Sequence, residues 1–190
     1  MTPSGHVLRI ALKSQGGWTA WKDLPPLRSR RETSCGEHVA EAQLVALREI
    51  SGRLPLVPFE FVDHGLVDHG LVARYLGVES EVRGGQVFDK IRFSSREDRW
   101  PYPLVAYFER PSRRLTRLLL ETPDRESRLV VFSRWSKLAS TGVLVPRQIR
   151  WHFLARPTAH ADLDHPDCEE RLVDIVLDDS PAGGENPKGD

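Results

Sequence analysis

From Leu71 onward the chain is a succession of short stretches rich in β-branched and aromatic residues, separated at close intervals by residues that turn the backbone. A chain punctuated in this way cannot sustain long helices, but it suits strands joined by tight connections. The pattern predicts an antiparallel meander with strands at Val72–Val82, Gln86–Phe93, Pro103–Glu109, Arg114–Glu121, Arg128–Trp135, Val143–Leu154 and Arg171–Leu177. Gly84-Gly85, Pro111-Ser112-Arg113, Pro123-Asp124 and Thr141-Gly142 supply the turn chemistry between them.

Alternate residues of a strand face opposite sides, so Leu104, Ala106 and Phe108 share one face while Val105 and Tyr107 share the other. Both faces are apolar there. Between Arg128 and Trp135, Leu129, Val131 and Trp135 likewise oppose Val130 and Phe132, and Ile149, Trp151 and Phe153 oppose Arg150 and His152. Two arrangements account for this: a covered sheet whose core is filled, or a strongly curved sheet whose hollow side encloses an apolar cavity.

The N-terminal part has a different texture. Val7, Ile10 and Ala11 recur at helical spacing between His6 and Ser14, and Gly16-Gly17 ends that helix. Pro25-Pro26 precedes an extended, charge-alternating strand from Leu27 to Thr33. Gly36 to Ile50 carries good helix formers and is expected to be a second helix. Leu54 to Phe59 is too rich in proline for a central strand and is read as an extended wall. Val62-Asp63-His64-Gly65-Leu66 is then repeated almost identically by Val67-Asp68-His69-Gly70-Leu71, a local duplication within a loop. The expectation is a single domain over 1–179 and a disordered tail over 180–190, which has no large apolar residue.

At 190 residues, 39% of them hydrophobic, the chain has enough material for one sizeable core without metals or multiple disulfides. Its 27 basic residues balance 27 acidic ones, so it lacks the net positive field of a broad nucleic-acid grip. Cys35 and Cys168 permit one bridge or two free thiols. Met1 to Gln15 is interrupted by Arg9 and Lys13 and does not read as a secretory signal, which alone would place the chain in the cytoplasm. No apolar run reaches the roughly 20 residues of a membrane-spanning helix.

Ala11 to Trp21, Val57 to Gly65 with Ala73 to Gly77, Gln86 to Ile91, Tyr107 to Leu115, and Phe132 to Trp135 followed by Gly142 to Ile149 together resemble the LolA/LolB-like carriers and their relatives in outer-membrane lipoprotein sorting. Ala11-Leu12-Lys13-Ser14-Gln15-Gly16-Gly17-Trp18-Thr19-Ala20-Trp21 is similar to the helix, Gly-Gly and Ala-Trp opening of those proteins. Val57-Pro58-Phe59 through Asp63-His64-Gly65, with Ala73-Arg74-Tyr75-Leu76-Gly77, resembles a second signature of some of them. Gln86 to Ile91, Tyr107 to Leu115, and Phe132 to Trp135 followed by Gly142 to Ile149 match the paired strands and closing element. In this sequence one helix stands between Thr33 and Leu56 where that family has further strands, so the resemblance is to a shortened, divergent member.

The resemblance implies a mainly β (α+β) fold, a curved antiparallel sheet forming an open half-barrel with one or two covering helices. It also implies a periplasmic, non-catalytic protein of the cell envelope that binds lipid or the acyl chains of a lipoprotein, with an envelope protein as possible partner. No cofactor is expected. The residues expected to line the cavity are Leu104, Ala106, Phe108, Leu118, Leu120, Val131, Trp135, Ile149 and Trp151, with Val39 and Leu47 on the covering helix.

The rival reading is a metal-dependent, hydrolase-type enzyme built on the loop His160 to Cys168. His160, Asp162, Asp164, His165 and Cys168 are of metal-ligating type, but their spacing matches no known ligand motif, so no metal site is assigned. His64 and His69 belong to the duplication and need no ligand to explain them. No Gly-x-Ser-x-Gly or phosphate-binding Gly-rich loop is present, and no catalytic residue is assigned. Arg28, Arg30, Arg31, Arg110, Arg113, Arg114 and Arg117 could meet anionic headgroups or form a solvated strand face. A purely structural envelope interaction module is the third possibility.

Overall fold

The computed structural model describes residues 2–17, 20, 27–35, 38–46, 71–81, 85–95, 103–122, 126–138 and 141–177. Thr2 caps the first element: its hydroxyl accepts a hydrogen bond from Gly5 N at 3.2 Å, and Pro3 occupies the first turn, where its missing N–H costs nothing. Helix α1 runs Pro3–Ser14 and buries Val7, Leu8 and Ala11 along one stripe. Gly16, at φ +118°, then lets the chain pass close to the strands: a Cβ there would lie 3.0 Å from the Cα of Val143. Leu144 N donates to the Gln15 carbonyl at 3.2 Å and fixes this end of the helix.

The strands are β1 (Leu27–Cys35), β2 (His38–Ala46), β3 (Leu71–Ser80), β4 (Val87–Ser95), β5 (Leu104–Glu109), β6 (Arg114–Leu120) and β7 (Ser127–Ser133), then β8 (Ser136–Lys137), β9 (Leu144–Val145), β10 (Gln148–Leu154) and β11 (Cys168–Leu177). Nine of them form one curved antiparallel sheet in the order β2-β1-β11-β10-β7-β6-β5-β4-β3, while β8 and β9 pair separately. Because β2 and β3 stand at opposite edges without pairing to each other, the sheet is an open half-barrel rather than a closed one.

The predicted second helix is absent. Residues 38–46 form β2, with His38 opposite Cys35 and Ala46 opposite Arg28. Helix propensity differs by only tenths of a kcal/mol per residue, and a ladder of seven residue pairs with β1 outweighs it. The covering layer among the described residues is therefore α1 alone. The predicted strand Val143–Leu154 is split into β9 and β10 around Pro146, which has no N–H for a ladder bond. Strand β11 begins at Cys168, three positions before the predicted start. The Leu54–Phe59 segment, both histidines of the duplication and the tail lie outside the described residues.

The inner face, on which α1 packs, carries Ile91, Phe93, Leu104, Ala106, Phe108, Leu115, Leu118, Val130, Phe132, Ile149 and Leu172. Beside it Asp89 is fully buried. Its carboxylate accepts from Arg110 Nε at 2.9 Å and from the Tyr75 hydroxyl at 2.7 Å, and it is ion-paired with Arg113. A carboxylate can be buried only with such compensation, and removing it strands two guanidinium groups. Asp89→Asn is expected to lower stability by about 3 kcal/mol in urea unfolding. The exposed pair Glu79–Lys90, tested by Glu79→Gln, should change it by less than about 1 kcal/mol.

The first and last strands are joined covalently: Cys35 and Cys168 face each other across β1 and β11 and form a disulfide with Cα atoms 4.2 Å apart, spanning 133 residues. Closing so long a loop restricts the unfolded chain strongly. A Cys35→Ser/Cys168→Ser double variant should lose about 2 to 5 kcal/mol. Dithiothreitol should shift the wild-type urea midpoint toward that of the variant and leave the variant unchanged.

Candidate functional site

The inner face gathers most of the expected cavity residues. Leu104, Ala106, Phe108, Leu118 and Ile149 sit together beneath α1, each at most 1% exposed. They pack as a filled core. Leu120, Trp135 and Trp151 lie around it and are only partly buried, so the apolar surface continues past the edge of the core. Trp151 follows Ile149 by two positions on β10 and stands opposite Val130, on the same face. Val131 faces the other way: it pairs with Arg117 on one side and Arg150 on the other. Its position next to Val130 in a strand makes that unavoidable. Val39 lies on β2 rather than on a helix, and Leu47 is outside the described residues.

Val105, Leu119 and Leu154 form a second, smaller core on the outer face, with Tyr107, Leu129, Ala159 and Ala161 packed against it. The segment 155–167 between β10 and β11 crosses this face as a strap. It is tied down at three points: Asp167 N donates to Trp151 O at 2.9 Å, Phe153 N donates to the Asp167 carboxylate at 2.6 Å, and Arg150 Nη1 donates to Leu163 O at 2.9 Å. A cleft of about 720 Å³ lies between strap and sheet, lined by Tyr107, Leu119, Leu129 and Leu154 below and Ala159 and Leu163 above. Next to it a second cleft of about 800 Å³ includes Arg114, Arg117, Arg134, Trp135 and Arg150.

The strap holds the metal-type residues, and it uses them otherwise. Asp162 bonds His165 Nδ1 at 2.9 Å and accepts from Asp164 N at 3.1 Å. His160 lines both clefts. Cys168 is not in the loop but opens β11, and its sulfur is in the disulfide. Among the described residues no three His, Cys, Asp or Glu side chains are grouped so as to hold a metal ion.

Of the arginines read as headgroup candidates, Arg31 pairs with Glu170, Arg110 and Arg113 with Asp89, Arg114 with Glu109, and Arg117 with Glu81 at 2.9 Å. Glu170 has its pKa raised by burial, against the pull of Arg31. Arg30 bridges Glu32 and Asp174 at the surface. Placement in alternating register thus gives these cations intramolecular partners. The side chain of Arg28 lies outside the description.

No family model matches the chain, and no curated protein matches it. Solved structures do match its fold: a curved open sheet covered by a helix, the architecture of LolA-type half-barrels. A LolA superfamily protein from Nitrosomonas europaea aligns with a TM-score of 0.55 and 10% identity over 95% of this chain and 96% of that one. A DUF1329 family protein from Desulfovibrio piger aligns with a TM-score of 0.55 and 11% identity over 95% of each chain. A domain from Vibrio parahaemolyticus, named for outer membrane lipoprotein sorting, aligns with a TM-score of 0.55 and 8% identity over 93% of this chain and 94% of that one. The chain is LolA-like in fold along nearly its whole length.

His152, buried on the outer face, has its pKa held below the usual 6.5 by desolvation and by nearby Arg150. The unfolded chain therefore takes up a proton that the folded chain refuses, and stability falls as pH drops below about 6.5 toward the lowered value. His165 works in the opposite direction: its bond to Asp162 raises its pKa, and the stability it contributes at low pH is lost as pH rises through that raised value. It is fully exposed, so its effect is the smaller. His152→Gln should flatten the decline in the urea midpoint between pH 7 and pH 5, whereas His165→Gln should not.

Proposed function

We propose that this protein binds an apolar ligand, lipid or the acyl chains of a lipoprotein, on the inner face of its half-barrel, and does so without catalysis. The observation that carries this reading is the open sheet, nine-stranded among the described residues, whose apolar inner face is covered by helix α1, in a fold similar to that of the LolA-type structures. A sheet that does not close leaves its interior reachable from the edges, and α1 is attached there chiefly through Val7, Leu8 and Ala11.

In this reading Leu104, Ala106, Phe108, Leu118 and Ile149 form the floor, and Leu120, Trp135 and Trp151 its accessible margin. The ligand enters at the margin and displaces α1 from part of the floor, exchanging one apolar cover for another. Each methylene withdrawn from water contributes about 0.8 kcal/mol, so an acyl chain can compete with the three apolar side chains of a short helix. The half-barrel acts as one domain over 1–179, with an envelope protein as its delivery partner. The disulfide fits an oxidising compartment such as the periplasm. None of the described helices is long and apolar enough to cross a membrane.

Protein purified without detergent is expected to show a lipid-sized excess mass in native mass spectrometry that organic extraction removes. After extraction it should bind a fluorescent fatty acid, and Leu120→Lys should weaken that binding at least about tenfold by placing a charge at the margin. A clean apo mass together with no fatty-acid binding by the extracted protein would rule the carrier reading out.

A further inference from the structure

The outer face carries a feature that an inner-face lipid site leaves unexplained. Where Arg150 of β10, Val131 of β7 and Arg117 of β6 stand side by side, the second cleft opens next to the strap. Most charges in it are already matched. Glu81 holds Arg117, Glu109 holds Arg114 and Asp162 holds His165, while Asp164 is the carboxylate left over. Arg134 and Arg150 are in no ion pair among the described residues. The cross-strand neighbour of Arg150 on β11 is Glu169, but its carboxylate is taken by Arg171 at 2.6 Å.

Two buried donors of this cleft also lack acceptors. Arg150 Nε and Trp135 Nε1 are both covered and make no hydrogen bond among the described residues. Buried N–H groups are nearly always paired, so two orphans lining one cleft mark a place where an acceptor is missing. Arg150 Nη1 meanwhile donates to the carbonyl of Leu163 on the strap. A guanidinium and an indole N–H lining one cleft suit an oxyanion, whose several lone pairs can accept from both. Val131 and Phe132 give the same cleft an apolar wall, and about 800 Å³ leaves room for more than a bare ion.

We propose that this cleft is a second binding site, on the outer face and meeting the margin of the inner face at Trp135, for the carboxylate or phosphate group of a small organic anion. Arg150 and Trp135 hold the oxyanion, which takes over the acceptor role of Leu163 O as the strap gives way. Arg134, exposed at the mouth with φ +52°, supplies the further charge that draws the anion in.

The test is a titration of ¹⁵N-labelled full-length protein, following the Trp135 indole N–H resonance, which is assigned by its loss in Trp135→Phe. Butyl phosphate, butyrate, inorganic phosphate and uncharged butanol are the probes. The expected result is a saturable shift with the anions and none with butanol. Tighter binding of butyl phosphate than of inorganic phosphate identifies an organic ester as the ligand type, and equal binding identifies the free ion. Arg150→Gln should weaken the anions about tenfold or more, and Arg134→Gln by a smaller factor. Should Arg150→Gln lose the dispersed spectrum of a folded protein, the exposed Arg134→Gln and the butanol comparison still decide. A Trp135 resonance that does not move, a shift that butanol reproduces, or wild-type affinity in the folded arginine variants would overturn the proposal.

Discussion

The architecture depends on the pairing of the first strand with the last. Strand β1 runs antiparallel to β11 from Leu27 opposite Leu177 to Cys35 opposite Cys168, and it is through this ladder that the β1–β2 hairpin joins the meander. Without it the chain would have a seven-stranded sheet ending at β11 and a detached two-stranded ribbon, which is marginal in water by itself. The long-range ladder thus extends the half-barrel by two strands, and the disulfide sits at one end of it.

Curvature and cover give the two faces different work. On the inner face a short helix contributes only Val7, Leu8 and Ala11, yet these meet a floor drawn from β4, β5, β6, β7, β10 and β11. On the outer face the cover is not a helix but the strap 155–167, whose small side chains Ala159 and Ala161 allow the backbone to lie close over Leu119 and Leu154. Small residues suit this position because a strap has few backbone bonds of its own and must be held by side chains from the sheet. Arg150 and Asp167 supply them.

The meander was legible in the sequence because each strand is bounded by turn residues and carries period-two alternation; β4, β5 and β6 fall within two residues of expectation at each end. The doubly apolar strands were the ambiguous signal. Alternation shows that both faces are covered but not by what, and the outer cover is a polar-looking segment that reads as an ordinary loop. The error at 36–50 has a different source: Val39, Ala42, Leu44 and Leu47 fit a helix as well as a strand locally, and only the partner β1 decides. The floor residues Leu104, Ala106, Phe108, Leu118 and Ile149 were found together because odd and even positions sort by face. Val131 was expected on the inner face because alternation shows only that it opposes Val130 and Phe132, not which of the two sets faces inward. Trp135 was expected as an apolar cavity residue, but nothing in the sequence marks it or Arg150 as a donor without an acceptor, since a missing acceptor is a property of the folded surroundings.

Cys35 is made early and Cys168 late, and 133 residues separate them. A ribosome delivers the first cysteine long before any partner exists, and all of β3 to β10 must follow before the second arrives. The native bridge is therefore a record of completeness: a truncated chain ending anywhere before β11 carries an odd thiol and no means of closing it. In a compartment that oxidises thiols, such a fragment is left open to mixed disulfides with its redox catalysts, whereas the finished chain withdraws both sulfurs from exchange. The same two residues that fasten the sheet thereby distinguish a whole molecule from a partial one.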